Sequence, residues 1–164
     1  MGWSSIAIWL GLLLVGGCGP RGEVIGLKQE HPGGRADSLQ PTLSWEAFGP
    51  AQLGLDPGRV RNVTYELRLW TAARESAPLE VVYARDGLTA PQHHVETPLT
   101  PERRYHWAVR ARFELDGQPQ VIPWSAIVPK VPKVPGMSLM LSTEWSSLEP
   151  ASPSGYRSFT TPSQ

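Results

Sequence analysis

One cysteine, Cys18, is the only thiol in 164 residues, so no disulfide can close within this chain. Whatever folds from it is held by its core alone. Lysine is scarce too, three residues against twelve arginines, and Lys plus Arg balances Asp plus Glu at 15 each for a formal net charge of zero. That balance gives no reason to expect a nucleic-acid partner or a polybasic membrane surface. No uninterrupted apolar run reaches the ~20 residues of a bilayer-spanning helix. Nor does any segment sustain a 3.6-residue apolar period, which leaves little of the chain for long helices.

The common catalytic and metal-binding signatures are missing as well. There is no HExxH pair, no Gly-x-Ser-x-Gly elbow and no phosphate-binding glycine loop. His93 and His94 are adjacent, so on a strand they point to opposite faces. With His31 and His106 they complete the histidines, and they read as solvated side chains, with no metal and no cofactor assigned. Glu66 and Glu114 fall on expected outer strand faces among arginines, the pattern of a solvated charge ladder rather than of paired catalytic carboxylates. The sequence therefore points away from an enzyme. Asn62-Val63-Thr64 is a formal glycosylation sequon whose threonine lies on an expected strand.

What is present begins with the leader. The first charged residue is Arg21, and "IAIWLGLLLV" from Ile6 to Val15 has the length of a signal-peptide core. Small residues Gly16 and Gly17 lead into Cys18, and Gly19-Pro20 follows. This pattern resembles the bacterial lipobox, although no Lys or Arg precedes the apolar core and Gly16 stands where that family prefers Ala or Ser. The resemblance implies cleavage after residue 17, lipidation of Cys18 and attachment to a bacterial envelope membrane. With Gly19 after the cysteine rather than Asp, it implies the outer membrane. Multiple acyl chains anchor stably where one binds only marginally. An ordinary cleaved signal or an uncleaved anchor are the other readings of the same stretch. Residues 18–37, poor in apolar side chains and broken by His31-Pro32-Gly33-Gly34, read mostly as a tether, with an edge strand near Val24 to Leu27.

Beyond the tether the period changes to two. Leu43 and Trp45 alternate with Thr42 and Ser44, and Val63, Tyr65, Leu67 and Leu69 with Thr64, Glu66 and Arg68. The longest run sets Tyr105, Trp107, Val109, Ala111, Phe113 and Leu115 on one side. A shorter, mixed run starts at Leu79. Turn signals separate them, among them Asp56-Pro57-Gly58, Asp86-Gly87 and Asp116-Gly117. The expectation is all-β, with two antiparallel sheets packed face to face.

The placed residues carry a second resemblance. Trp45, Tyr65, the corner "LTPERRY" with Leu99, Pro101 and Tyr105, and the run "YHWAVRARF" make residues 38–125 resemble a fibronectin type III domain, an immunoglobulin-like sandwich. Its corner tyrosine would fill the core while its hydroxyl bonds backbone. In related bacterial modules a Trp-Ser pair soon precedes a last strand like "YRSFTT". Here Trp124-Ser125 is separated from Tyr156 by about 30 residues, so 126–155 reads as a long insertion and Tyr156 to Thr161 as the final strand, within a domain of 38–164. Long structureless loops are uncommon in compact domains.

Of the tryptophans, Trp45 and Trp107 should be core and Trp124 should end a hairpin arm. Trp70 lies on the polar phase of its strand near arginines, and Trp145 lies in the insertion with Met137, Leu139, Met140 and Leu141. The insertion either covers a sheet edge or offers a partner an apolar surface. The function expected is a non-catalytic adhesion, scaffold or protein-interaction module on a lipid anchor. The alternative is a carbohydrate-binding module that stacks sugars on Trp70 or Trp145.

Overall fold

The computed structural model describes residues 22–71, 80–129 and 156–164. They form eleven strands: β1 (Gly22–Ile25), β2 (Gln29–His31), β3 (Gly34–Arg35), β4 (Thr42–Trp45), β5 (Val60–Thr71), β6 (Glu80–Leu88), β7 (Gln92–His94), β8 (Arg104–Leu115), β9 (Gln118–Val121), β10 (Ala126–Pro129) and β11 (Arg157–Thr160). Two 3-10 turns, Pro50–Leu53 and Pro57–Arg59, are the helical elements among them. The chain is all-β, as its period of two requires.

The strands make three sheets. β2, β4 and β7 form one in the order 2-4-7. A larger one runs β3-β11-β8-β5-β6, with β9 also on β8, and β1 pairs with β10 alone. Every pairing is antiparallel except β3 with β11. The first two sheets share one core. Leu43 and Trp45 from the smaller, with Val95 just after β7, pack with Leu67, Leu69, Trp107, Val109 and Phe159 from the larger. Trp45 meets Tyr65 edge to face at 5.5 Å between ring centres across that core. Each fully buried Leu or Val side chain adds roughly 1.5–3 kcal/mol.

Local chemistry fixes the register. Asp116 and Gly117, with φ of 53° and 78°, make the two-residue turn from β8 to β9 that needs positive φ at both positions. Arg59 Nε donates to Asp116 at 3.0 Å across its end. At the opposite end of β8, Tyr105 is 3% exposed and its hydroxyl accepts from Thr100 N at 3.0 Å. Thr161 Oγ1 donates to Thr100 O at 2.7 Å and accepts from Arg103 N at 3.0 Å, binding the last strand to the same corner.

Two expectations need correction. The stretch before residue 38 is not mainly a tether, because from Gly22 onward it supplies β1, β2 and β3, and Leu27 and Ala36 enter the core. Gln29 Nε2 donates to Trp107 O at 2.6 Å, and the Arg157 guanidinium donates to Gln29 O and Glu30 O, each at 2.7 Å. Gly33 leaves room for that guanidinium, since a Cβ there would lie 2.5 Å from Arg157 Nη2. These strands hold few apolar residues and are interrupted by Gly26, Pro32 and Gly33, so no alternation stands out, which is why composition suggested a linker. The edge strand sits at Gly22–Ile25 rather than Val24–Leu27. The second correction concerns the insertion. Its first four residues are β10, paired with β1, and 130–155 lies outside the described residues. The last strand runs from Arg157 to Thr160, within the expected span.

Candidate interaction surface

The outer face of the large sheet carries a second, smaller cluster. Trp70, Ala108 and Trp124 are buried there, with Tyr156 packed against them. Trp124 follows β9 and lies back over β5 and β8. Its ring stands 6.0 Å from Trp70, near perpendicular, while Tyr156 tilts against Trp70 at 5.6 Å. The guanidinium of Arg110 lies 4.3 Å from the Trp124 ring centre and that of Arg68 5.5 Å, both within cation–π range.

Carboxylates hold those arginines in place. Glu66, one strand over, accepts from Arg110 Nε at 2.6 Å and also from Arg112 Nε. Arg68 donates to Asp86 at 2.5 Å, and that bond holds the Asp86 carboxyl below the usual range. The arginines expected near Trp70 stack instead on Trp124. Trp70 is 1% exposed, so its indole is covered and offers no stacking platform. Glu66 likewise departs from expectation: it is 5% exposed and not part of a solvated ladder, because two arginines fold over it. Alternation reports which face a residue takes and is silent on what covers that face.

The large sheet ends at β6. Among the described residues this strand pairs only with β5. Val81 and Val82 are each 42% exposed, against which Tyr83 is buried. Leu69 pairs with Tyr83 and Trp70 with Val81, so Val82 is the extra residue of a bulge. A second irregularity falls opposite the step from Tyr65 to Leu67, where Gly87 takes φ 70°. The two bulges bracket a regular run from Tyr83 to Arg85. Beside it opens a cleft of about 350 Å³ lined by Thr71, Val82, Tyr83, Thr97, Leu99 and Arg103, among others. Arg103 Nε donates to Thr71 Oγ1 at 2.8 Å on its wall. The doublet Val81-Val82 interrupts alternation in the sequence and was the one available signal of this edge.

Of the histidines, His31 and His94 line one cleft beside the small sheet, while His93 turns to the other side of β7. His93 on β7 hydrogen-bonds Tyr83 Oη through Nε2 at 2.7 Å, joining the edges of the two sheets, and Glu96 N donates to the same hydroxyl at 3.2 Å. Arg85 stacks 4.7 Å from the Tyr83 ring centre and pairs with Glu96, which lowers the Glu96 carboxyl. Burial depresses His93, and burial followed by the Arg104 charge depresses His106. His94 lies 3.3 Å from Thr42 Oγ1. Among the described residues no group of three or more His, Cys, Asp or Glu converges as metal ligands. Asn62, exposed at φ 53°, donates to Glu114 at 2.9 Å.

Cys18 and Trp145 lie outside the described residues. No helix among the described residues is long and apolar enough to cross a membrane. The chain matches no protein-family model, and no curated protein or solved structure matches it.

Proposed function

We propose that this chain is a bacterial envelope lipoprotein, anchored through Cys18, whose fibronectin type III-like sandwich is a non-catalytic protein-interaction or scaffold module. The leader and Cys18 support the anchor. The sheet orders 2-4-7 and 3-11-8-5-6, the Trp45–Tyr65 contact and the Tyr105 hydroxyl on Thr100 N support the fold family.

The observation that carries the interaction role is the β6 edge, with Val81 and Val82 exposed beside the cleft. A partner strand laid along Tyr83 to Arg85 would extend the large sheet, taking main-chain bonds from the edge and side-chain selectivity from the cleft. Glycan binding calls for an exposed aromatic face. Trp70 is covered, so the described residues favour a protein partner over a sugar.

Two measurements test this. Intact mass of membrane-fraction protein should show cleavage before Cys18 plus acyl chains, lost in Cys18→Ser. A photocrosslinking side chain at position 82 should give one discrete adduct in envelope membranes, abolished by Val81→Glu. Adducts insensitive to that charge, or none from abundant lipidated protein, would refute the edge as the docking site.

A further inference from the structure

The ribbon of β1 and β10 joins neither of the other sheets. Its base is fixed to the sandwich. Ser125 N donates to Val109 O and Val109 N donates to Ser125 Oγ, both at 3.0 Å, in the middle of β8. Gly26, at φ 70°, closes the other strand against this base, where a Cβ would lie 2.7 Å from Pro123 O and 3.0 Å from Ser125 N. From there the register runs Ile25 with Ala126, Val24 with Ile127, Glu23 with Val128 and Gly22 with Pro129. Among the described residues the Gly22–Pro129 pair is the far end, or tip, about 10 Å along the ribbon from its base.

We infer that this tip is the membrane-facing pole of the domain, resting against the lipid headgroups. The inference depends on the anchor proposed above. Only three residues separate Cys18 from Gly22. Even fully extended they let the tip move no more than about 14 Å from the acylated cysteine. The tip therefore stays at headgroup depth, and the chain enters the ribbon heading away from the Asp116–Gly117 turn, since Gln118 lies opposite Leu115, Val121 opposite Arg112 and Ser125 bonds Val109. From Val109 to Asp116 is seven residues, about 23 Å of strand.

A single introduced thiol tests this, because the chain has no other once Cys18 is acylated. Val128→Cys and Gln118→Cys are made in the full chain, labelled with bimane and reconstituted in phosphatidylethanolamine–phosphatidylglycerol vesicles carrying a headgroup spin label. Quenching at position 128 should exceed that at position 118 by at least about twofold, since contact quenching fades over roughly the tether length. Equal quenching at both, in protein whose mass shows acylated Cys18, overturns the orientation and leaves the anchor standing. A mass without acyl chains overturns both.

Discussion

At Glu66 a carboxylate that its position in the strand assigns to solvent is enclosed by two guanidinium groups. The more buried partner, Arg110, has a side chain only 10% exposed, and Arg112 covers the carboxylate from the rim at 52%. Removing one member of a buried pair strands the other charge, so Glu66→Ala should cost about 3–5 kcal/mol. Urea denaturation of the variant beside wild type measures it, and a loss under about 1 kcal/mol would mean the arginines find solvent or other acids at no penalty. His93 supplies a pH dependence with a definite sign. Its folded-state pKa is depressed by burial, so the unfolded chain binds the extra proton. Stability should then fall as pH drops below about 6.5 and level off once the folded imidazole also protonates. Denaturation midpoints across that window should slope less in His93→Gln than in wild type. Part of the slope should persist, because His106 is depressed as well.

The legibility of the fold varied by element, and the reason is length. β5 and β8, twelve residues each, show six or so alternations, and their inward residues Tyr65, Leu67, Leu69, Tyr105, Trp107 and Val109 are buried as expected. β1, β2 and β3 are four, three and two residues long and present no period to read. What holds β2 is Arg157, more than a hundred residues away in sequence, a contact that no local pattern announces. The candidate site was legible in the same partial way. Arginines near a tryptophan were visible in the sequence, but which indole they stack on depended on Trp124 folding back from the end of β9. β6 shows how exposure divides roles within one fold. Val82→Ala should alter stability by no more than about 0.5 kcal/mol, whereas Leu69→Ala on the neighbouring strand should cost about 2–5 kcal/mol. Thermal melts of the two variants would separate an edge kept apolar for contact from one kept apolar for packing.

At the scale of the whole molecule, the described fold already includes Gly22 to Asp37, ahead of Ser38, and a truncation tests that boundary. A chain starting at Ser38 lacks β1 to β3 and the core side chains Leu27 and Ala36. It should lose cooperative unfolding by calorimetry, while one starting at Arg21 keeps it. Retained cooperativity in the shorter chain would restore the tether.

The place of β11 in the large sheet sets a schedule for folding. This last strand, Arg157–Thr160, lies between β3 and β8, with Phe159 opposite both Gly34 and Tyr105. The sheet therefore cannot join its first residues to its centre until the ribosome has delivered residues near 160, and those pairings bridge long loops that close slowly. Until then β3 has no partner in that sheet, although β5, β6, β8 and β9 can already pair with one another. Were the chain exported as proposed above, β11 would cross the membrane after both of its partners, and the sandwich would close only on the far side.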